Sequence, residues 1–162
     1  MGKRSQWWRA FSMATMLMIA ASWVVCAAPV WLGWMDSSVS RVAFFIPIAG
    51  LSVPFFIGWM TARRTRHPDP STSASGVSMG VLGFCLGIGL QDALLNTAPS
   101  SFVIMMGVGG VLGLVAGLSA LVGHGAALDQ ESQEADETRL GRASLPRARV
   151  VRPCQRRQAR SA

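Results

Sequence analysis

The stretch GVSMGVLGFCLGIGLQD, residues 76–92, decides the fold: five glycines sit in an otherwise apolar run that closes on an acid. Glycine buries almost nothing of its own, so a run apolar enough for lipid and rich in glycine points to helices that meet backbone against backbone. At 100° per residue, Gly76, Gly80, Gly83 and Gly87 fall within about 60° of one another on a helix and form one groove. Ser78, Cys85 and Asp92 are spaced by seven on a different face. Small on one side and weakly polar on another, such a helix is expected at the centre of a bundle with neighbours on both sides.

Outward from this run, the chain contains four apolar segments, at 10–35, 42–60, 77–95 and 101–123, with Asp92 the one charge inside them. Each approaches or exceeds the roughly 20 helical residues that cross about 30 Å of hydrocarbon. Backbone amides in lipid must find partners within their own segment, which selects helices. A chain that is 51% hydrophobic and 14% charged, with its charges segregated between the runs, fits no ordinary soluble class. The sequence therefore predicts an all-α integral membrane protein: a four-transmembrane-helix bundle of two antiparallel helical hairpins, followed by a disordered charged C-terminal tail. Its parts are a cytoplasmic N-terminus (1–9), the transmembrane domain (10–125) and a disordered cytoplasmic tail (126–162), first acidic and then arginine-rich.

The basic residues orient these helices, because Lys and Arg are retained on the cytoplasmic side during insertion. Lys3, Arg4 and Arg9 precede the first run, Arg63, Arg64 and Arg66 separate the second from the third, and eight arginines follow the fourth. With both termini inside, 14 of the 15 basic residues are cytoplasmic, and Arg41 alone falls outside. Trp7, Trp8 and Trp59 then lie at the inner boundary and Trp31 and Trp34 at the outer one, the level that indole prefers. The expected location is the plasma (inner) membrane, multi-pass. The small residues of VCAAP, 25–29, offer a signal-peptidase alternative for the first run, but the apolar stretch continues through Trp34, which favours a retained helix.

The second helix carries Pro47 and Pro54, each of which removes a backbone donor and frees a carbonyl one turn earlier, on Ala43 and Gly50. On the fourth, Gly109, Gly113, Ala116, Gly117 and Ala120 share a face opposite Val108, Val111, Val115, Leu118 and Val122. The glycines of the third helix are expected to pack against those of the fourth, with a homo-oligomer contact as the alternative. Past Gly125, LDQESQEADE is acidic, and the remainder carries eight arginines and no acid, a composition expected to stay disordered apart from a short surface helix near 127–140.

Candidate chemistry is sparse. Asp92, near the outer end of the third helix, can join Asp36 and Arg41 in an outer polar cluster, or with Ser78 mark an ion entry site. His124, at the inner end of the fourth helix, is expected at the interface with a wet ring. Cys26, Cys85 and Cys154 are scattered singly, and the methionines lack any paired Cys or Met-rich extramembrane segment, so no metal or cofactor is expected. No HExxH, GxSxG or phosphate-binding glycine loop occurs, which argues against an enzyme. The expected partners are the lipid bilayer, anionic lipids through the arginine-rich tail, and a membrane protein or a second copy. Nucleic acid is not expected. The leading expectation is a non-enzymatic accessory, assembly or immunity-type component of a membrane system; the alternative is a small transporter or channel with a site near Asp92 and the kinks at Pro47 and Pro54.

Overall fold

The computed structural model describes residues 2–65, 69–96 and 99–144, and these are helical with no strand among them. Among the described residues, four helices are long and apolar enough to cross a membrane. Helix α1 spans Lys3–Trp31, α2 has its apolar span at Val42–Arg64, α3 is Pro70–Asn96 and α4 is Pro99–Ser144.

The helices outlast the apolar runs. α1 and α3 begin about a turn or two before 10 and 77, α2 continues past 60 to Arg64, and α4 continues past 123 to Ser144. Hydrocarbon ends where the charges start, but backbone hydrogen bonds do not, and Ala, Leu, Gln, Glu and Arg are strong helix formers. Residues 126–144 are therefore helical: the expected surface helix near 127–140 is present and extends to Ser144, in place of the expected disorder. The chain divides into two units, Met1–Gln130 and Glu131–Ala162. In the second, Glu131–Gly141 is exposed helix; the arginine-rich residues past Ser144 lie outside the described part.

Glycine ends α1 by a specific route. Gly33 adopts φ +69°, while its N–H donates to the Val30 carbonyl (3.0 Å) and that of Trp34 to the Pro29 carbonyl (2.9 Å). This is the left-handed cap that satisfies the last carbonyls of a helix and that side chains with a Cβ rarely adopt. The chain resumes helix at Ser37, so the connection between α1 and α2 is shorter than the 36–41 interval between the first two apolar runs and lies earlier.

Each intramembrane proline follows a π-helical stretch: Ser22–Ala27 before Pro29, Arg41–Phe45 before Pro47, and Ile48–Ser52 before Pro54. A proline cannot donate to the carbonyl four residues earlier, and widening the ladder redistributes the remaining bonds, as in the Val53 N–H to Ile48 carbonyl bond.

All four helices contribute to one core. It contains Ala10, Ala14 and Met18 of α1, Ala49 and Ile57 of α2, Val77, Val81 and Cys85 of α3, and Leu112, Ala116 and Ala120 of α4. Alanine is its commonest residue because helices in lipid gain from close van der Waals approach rather than from hiding large apolar groups. The outward residues of α4, Val108, Val111, Val115, Leu118 and Val122, are all exposed.

Candidate functional site

Glycines mark where the helices touch, and their partners differ from the expected ones. A Cβ on Gly76 would stand 2.9 Å from the Trp7 carbonyl oxygen, and one on Gly80 would stand 3.0 Å from the Phe11 oxygen and 2.8 Å from the Ala14 Cβ. The glycine face of α3 therefore meets α1, which runs parallel to it, and not α4. Gly83 and Gly87, on the same face, have nothing within 4 Å of a Cβ. Both are exposed, and the expected helix contact at these two residues is absent among the described residues.

α4 instead applies its own glycines to the other face of α3. A Cβ on Gly109 would lie 2.7 Å from the Cys85 Cβ, one on Gly113 would lie 3.0 Å from the Ser78 carbonyl oxygen, and one on Gly117 would strike the Ser78 hydroxyl. Thus α3 stands between α1 and α4. A second close approach joins α2 to α4 reciprocally: Gly58 faces the Ala120 carbonyl and Gly123 faces the Phe55 carbonyl.

Two serines absent from the sequence-based candidates complete these contacts. Ser40, fully buried, donates from Oγ to the Cys26 carbonyl at 2.8 Å, and Ser119 of α4 donates to the Leu51 carbonyl of α2 at 2.7 Å. Both acceptors belong to π-helical stretches. The sequence rule points to Gly50 as the freed carbonyl before Pro54, whereas the hydroxyl bonds the next residue, because the ladder is widened across the whole stretch.

The polar candidates do not form one site. Ser78 donates to the Ala74 carbonyl at 2.9 Å within its own helix and abuts Gly117. Asp92 is half-buried near the other end of α3, 14 residues or about 21 Å along the axis from Ser78. Asp36 is exposed and borders an open hollow of about 550 Å³ with Val30, Gly33, Trp34, Met35 and Ser37. The backbone of Arg41 starts a π-helical stretch, and its side chain is outside the described part. His124 differs from expectation: it is 5% exposed, and its Nδ1 has no hydrogen-bond partner among the described residues. No three His, Cys, Asp or Glu side chains come together in a metal-binding arrangement among the described residues.

At the opposite end from Asp36 and Asp92, the first residues of α1 and α3 are tied together. Lys3 Nζ lies 3.0 Å from the Asp69 carboxylate, and Gln6 Nε2 is 3.5 Å from Ser73 Oγ. Asp69 also caps α3, accepting from the Ser71 N–H (3.2 Å) and hydroxyl (2.6 Å). The Ser71 bonds foremost, and then Lys3, hold the Asp69 carboxyl well below the usual carboxylate range. Beside them, Trp7 stacks on Phe11 at 5.4 Å, and the Arg63 guanidinium lies 4.3 Å over the Trp59 ring.

Comparison with protein-family models, curated proteins and solved structures finds no match to this chain.

Proposed function

We propose that the chain is a small multi-pass protein of the plasma membrane, a four-helix bundle with both termini cytoplasmic. In this reading it is a non-enzymatic accessory, assembly or immunity-type component of a larger membrane system. The observation that carries the reading is where the intramembrane polar groups go. The Ser78 hydroxyl is turned to its own helix and closed off by Gly117, and the Leu51 carbonyl beside Pro54 is taken by Ser119. Two groups that would line a solute path are thus consumed in helix packing. The burial of Ala10, Ala14 and Met18 against the other helices favours retention of α1 over its cleavage.

Purification of the tagged chain in mild detergent is expected to recover a stable membrane-protein partner or a second copy, and proteoliposomes of the chain alone are expected to show no ion flux. Flux without any partner would reverse the reading in favour of a transporter or channel. For orientation, a reporter fused after Thr65 is expected to read cytoplasmic, and a cysteine at Ser38 or Ser100 is expected to label from outside. External labelling at Thr65 would overturn the charge argument.

A further inference from the structure

We infer that the end of the molecule where α1 begins and α2 finishes binds anionic phospholipid headgroups directly, through arginines set one helical turn beyond a tryptophan, independently of the arginine-rich tail. Two such pairs occur on two helices in contact, Arg4 with Trp8 on α1 and Arg63 with Trp59 on α2, and Lys3 with Trp7 repeats the spacing with an ammonium. Four residues of helix span about 6 Å. An indole at the level of the lipid glycerol therefore carries its cation out to the level of the phosphates, with the alkyl stem lying along the boundary. In this structure the Arg63 guanidinium lies over the Trp59 ring at 4.3 Å, which makes indole and cation neighbours at this end.

Charge complementarity selects the lipid. Among the described residues of Met1–Gln130, this end carries Lys3, Arg4, Arg9, Arg63 and Arg64 against Asp69 and Asp129. Lys3 is engaged by Asp69 at 3.0 Å, and the side chains of Arg4, Arg9, Arg63 and Arg64 are exposed. Guanidinium groups grip a phosphodiester through two parallel N–H bonds, which an ammonium cannot do. Retention of positive charge during insertion requires only cations near the end of a span. It does not require each of two touching helices to place them one turn from a tryptophan.

The test uses the full chain in nanodiscs of phosphatidylcholine with increasing phosphatidylglycerol, and counts retained lipids by native mass spectrometry. Arg4→Gln/Arg63→Gln/Arg64→Gln is expected to lower apparent phosphatidylglycerol affinity about tenfold through loss of charge and fork together. Arg156→Gln/Arg157→Gln/Arg160→Gln in the tail is expected to change it less than about twofold. If the first variant fails to insert, Arg4→Lys/Arg63→Lys/Arg64→Lys keeps the topogenic charge and is expected to lose about threefold through loss of the fork alone. Three results would each overturn the assignment: a loss confined to the tail variant, no preference of the wild type for phosphatidylglycerol, or equal saturation by inorganic phosphate in phosphatidylcholine discs.

Discussion

The hydroxyl of Ser119 on α4 donates a 2.7 Å hydrogen bond to the carbonyl of Leu51 on α2, three residues before Pro54. The bond fills a place in the ladder that the proline disturbs, and it joins two helices that are not consecutive. Ser119→Ala is expected to lower stability in detergent by about 0.5–1.5 kcal/mol, the usual net value of such a bond in a membrane interior. Ser119→Thr keeps the hydroxyl and is expected to lose less than half of that. Equal unfolding midpoints for wild type and the alanine variant would remove the bond from the account.

Glycine substitutions separate close contact from mere smallness. A Cβ on Gly58 would run into the Ala120 carbonyl, so Gly58→Ala is expected to cost about 1–3 kcal/mol as the helices are forced apart. Gly83→Ala and Gly87→Ala meet nothing within 4 Å and are expected to be neutral or stabilising by up to about 1 kcal/mol, from helix propensity. Thermal unfolding of the three variants checks the order, and a loss at Gly83 as large as that at Gly58 would contradict the exposed position of Gly83.

The Lys3–Asp69 latch sets a pH dependence of defined sign. The Asp69 carboxyl is depressed in the folded chain, so its contribution is fully present above the unfolded value of about 3.9 and is lost as pH falls toward the folded value. The unfolding midpoint is expected to be insensitive to Asp69 between pH 7 and pH 5, with an acid-dependent decline below about pH 4 that Asp69→Asn reduces. The effect is small and weakens with salt, because Lys3 is largely exposed. An Asp69→Asn variant with the same acid profile as wild type would show that the latch does not contribute.

Deletion from Thr138 onward is expected to leave the helices inserted and equally stable, because described positions from Leu128 through Gly141 are exposed and Glu131 onward forms a separate unit. Loss of membrane-inserted protein on truncation would assign that helix a role in the core.

Hydropathy alone located the four spans, because lipid imposes one length and one polarity on every crossing segment. It could not assign partners. Gly76, Gly80, Gly83 and Gly87 look identical on a helical projection, yet two touch α1 and two touch nothing; an angle records that a face is small, not which helix arrives there. Ser119 and Ser40 were equally hidden. Hydroxyls such as those of Thr15, Thr61 and Ser78 bond the carbonyl four residues back in their own helix, and nothing local distinguishes a serine that reaches across. His124 read as an interfacial residue from its place near the end of the apolar run, whereas its direction toward the packed side is set by neighbours that the run does not reveal.

The parallel seating of α1 on α3 imposes an order on synthesis. The partner for the Trp7–Thr15 face contains Gly76 and Gly80, so α1 leaves the ribosome with that face unmatched and stays so through the making of α2 and much of α3. At about 5–20 residues per second, that interval is several seconds. During it, a helix with small residues and a widened turn at Ser22–Ala27 must be held in lipid or by the insertion machinery. Any factor that guards unassembled segments would meet this helix before α3 exists, and the emergence of Gly80 is the event that would release it.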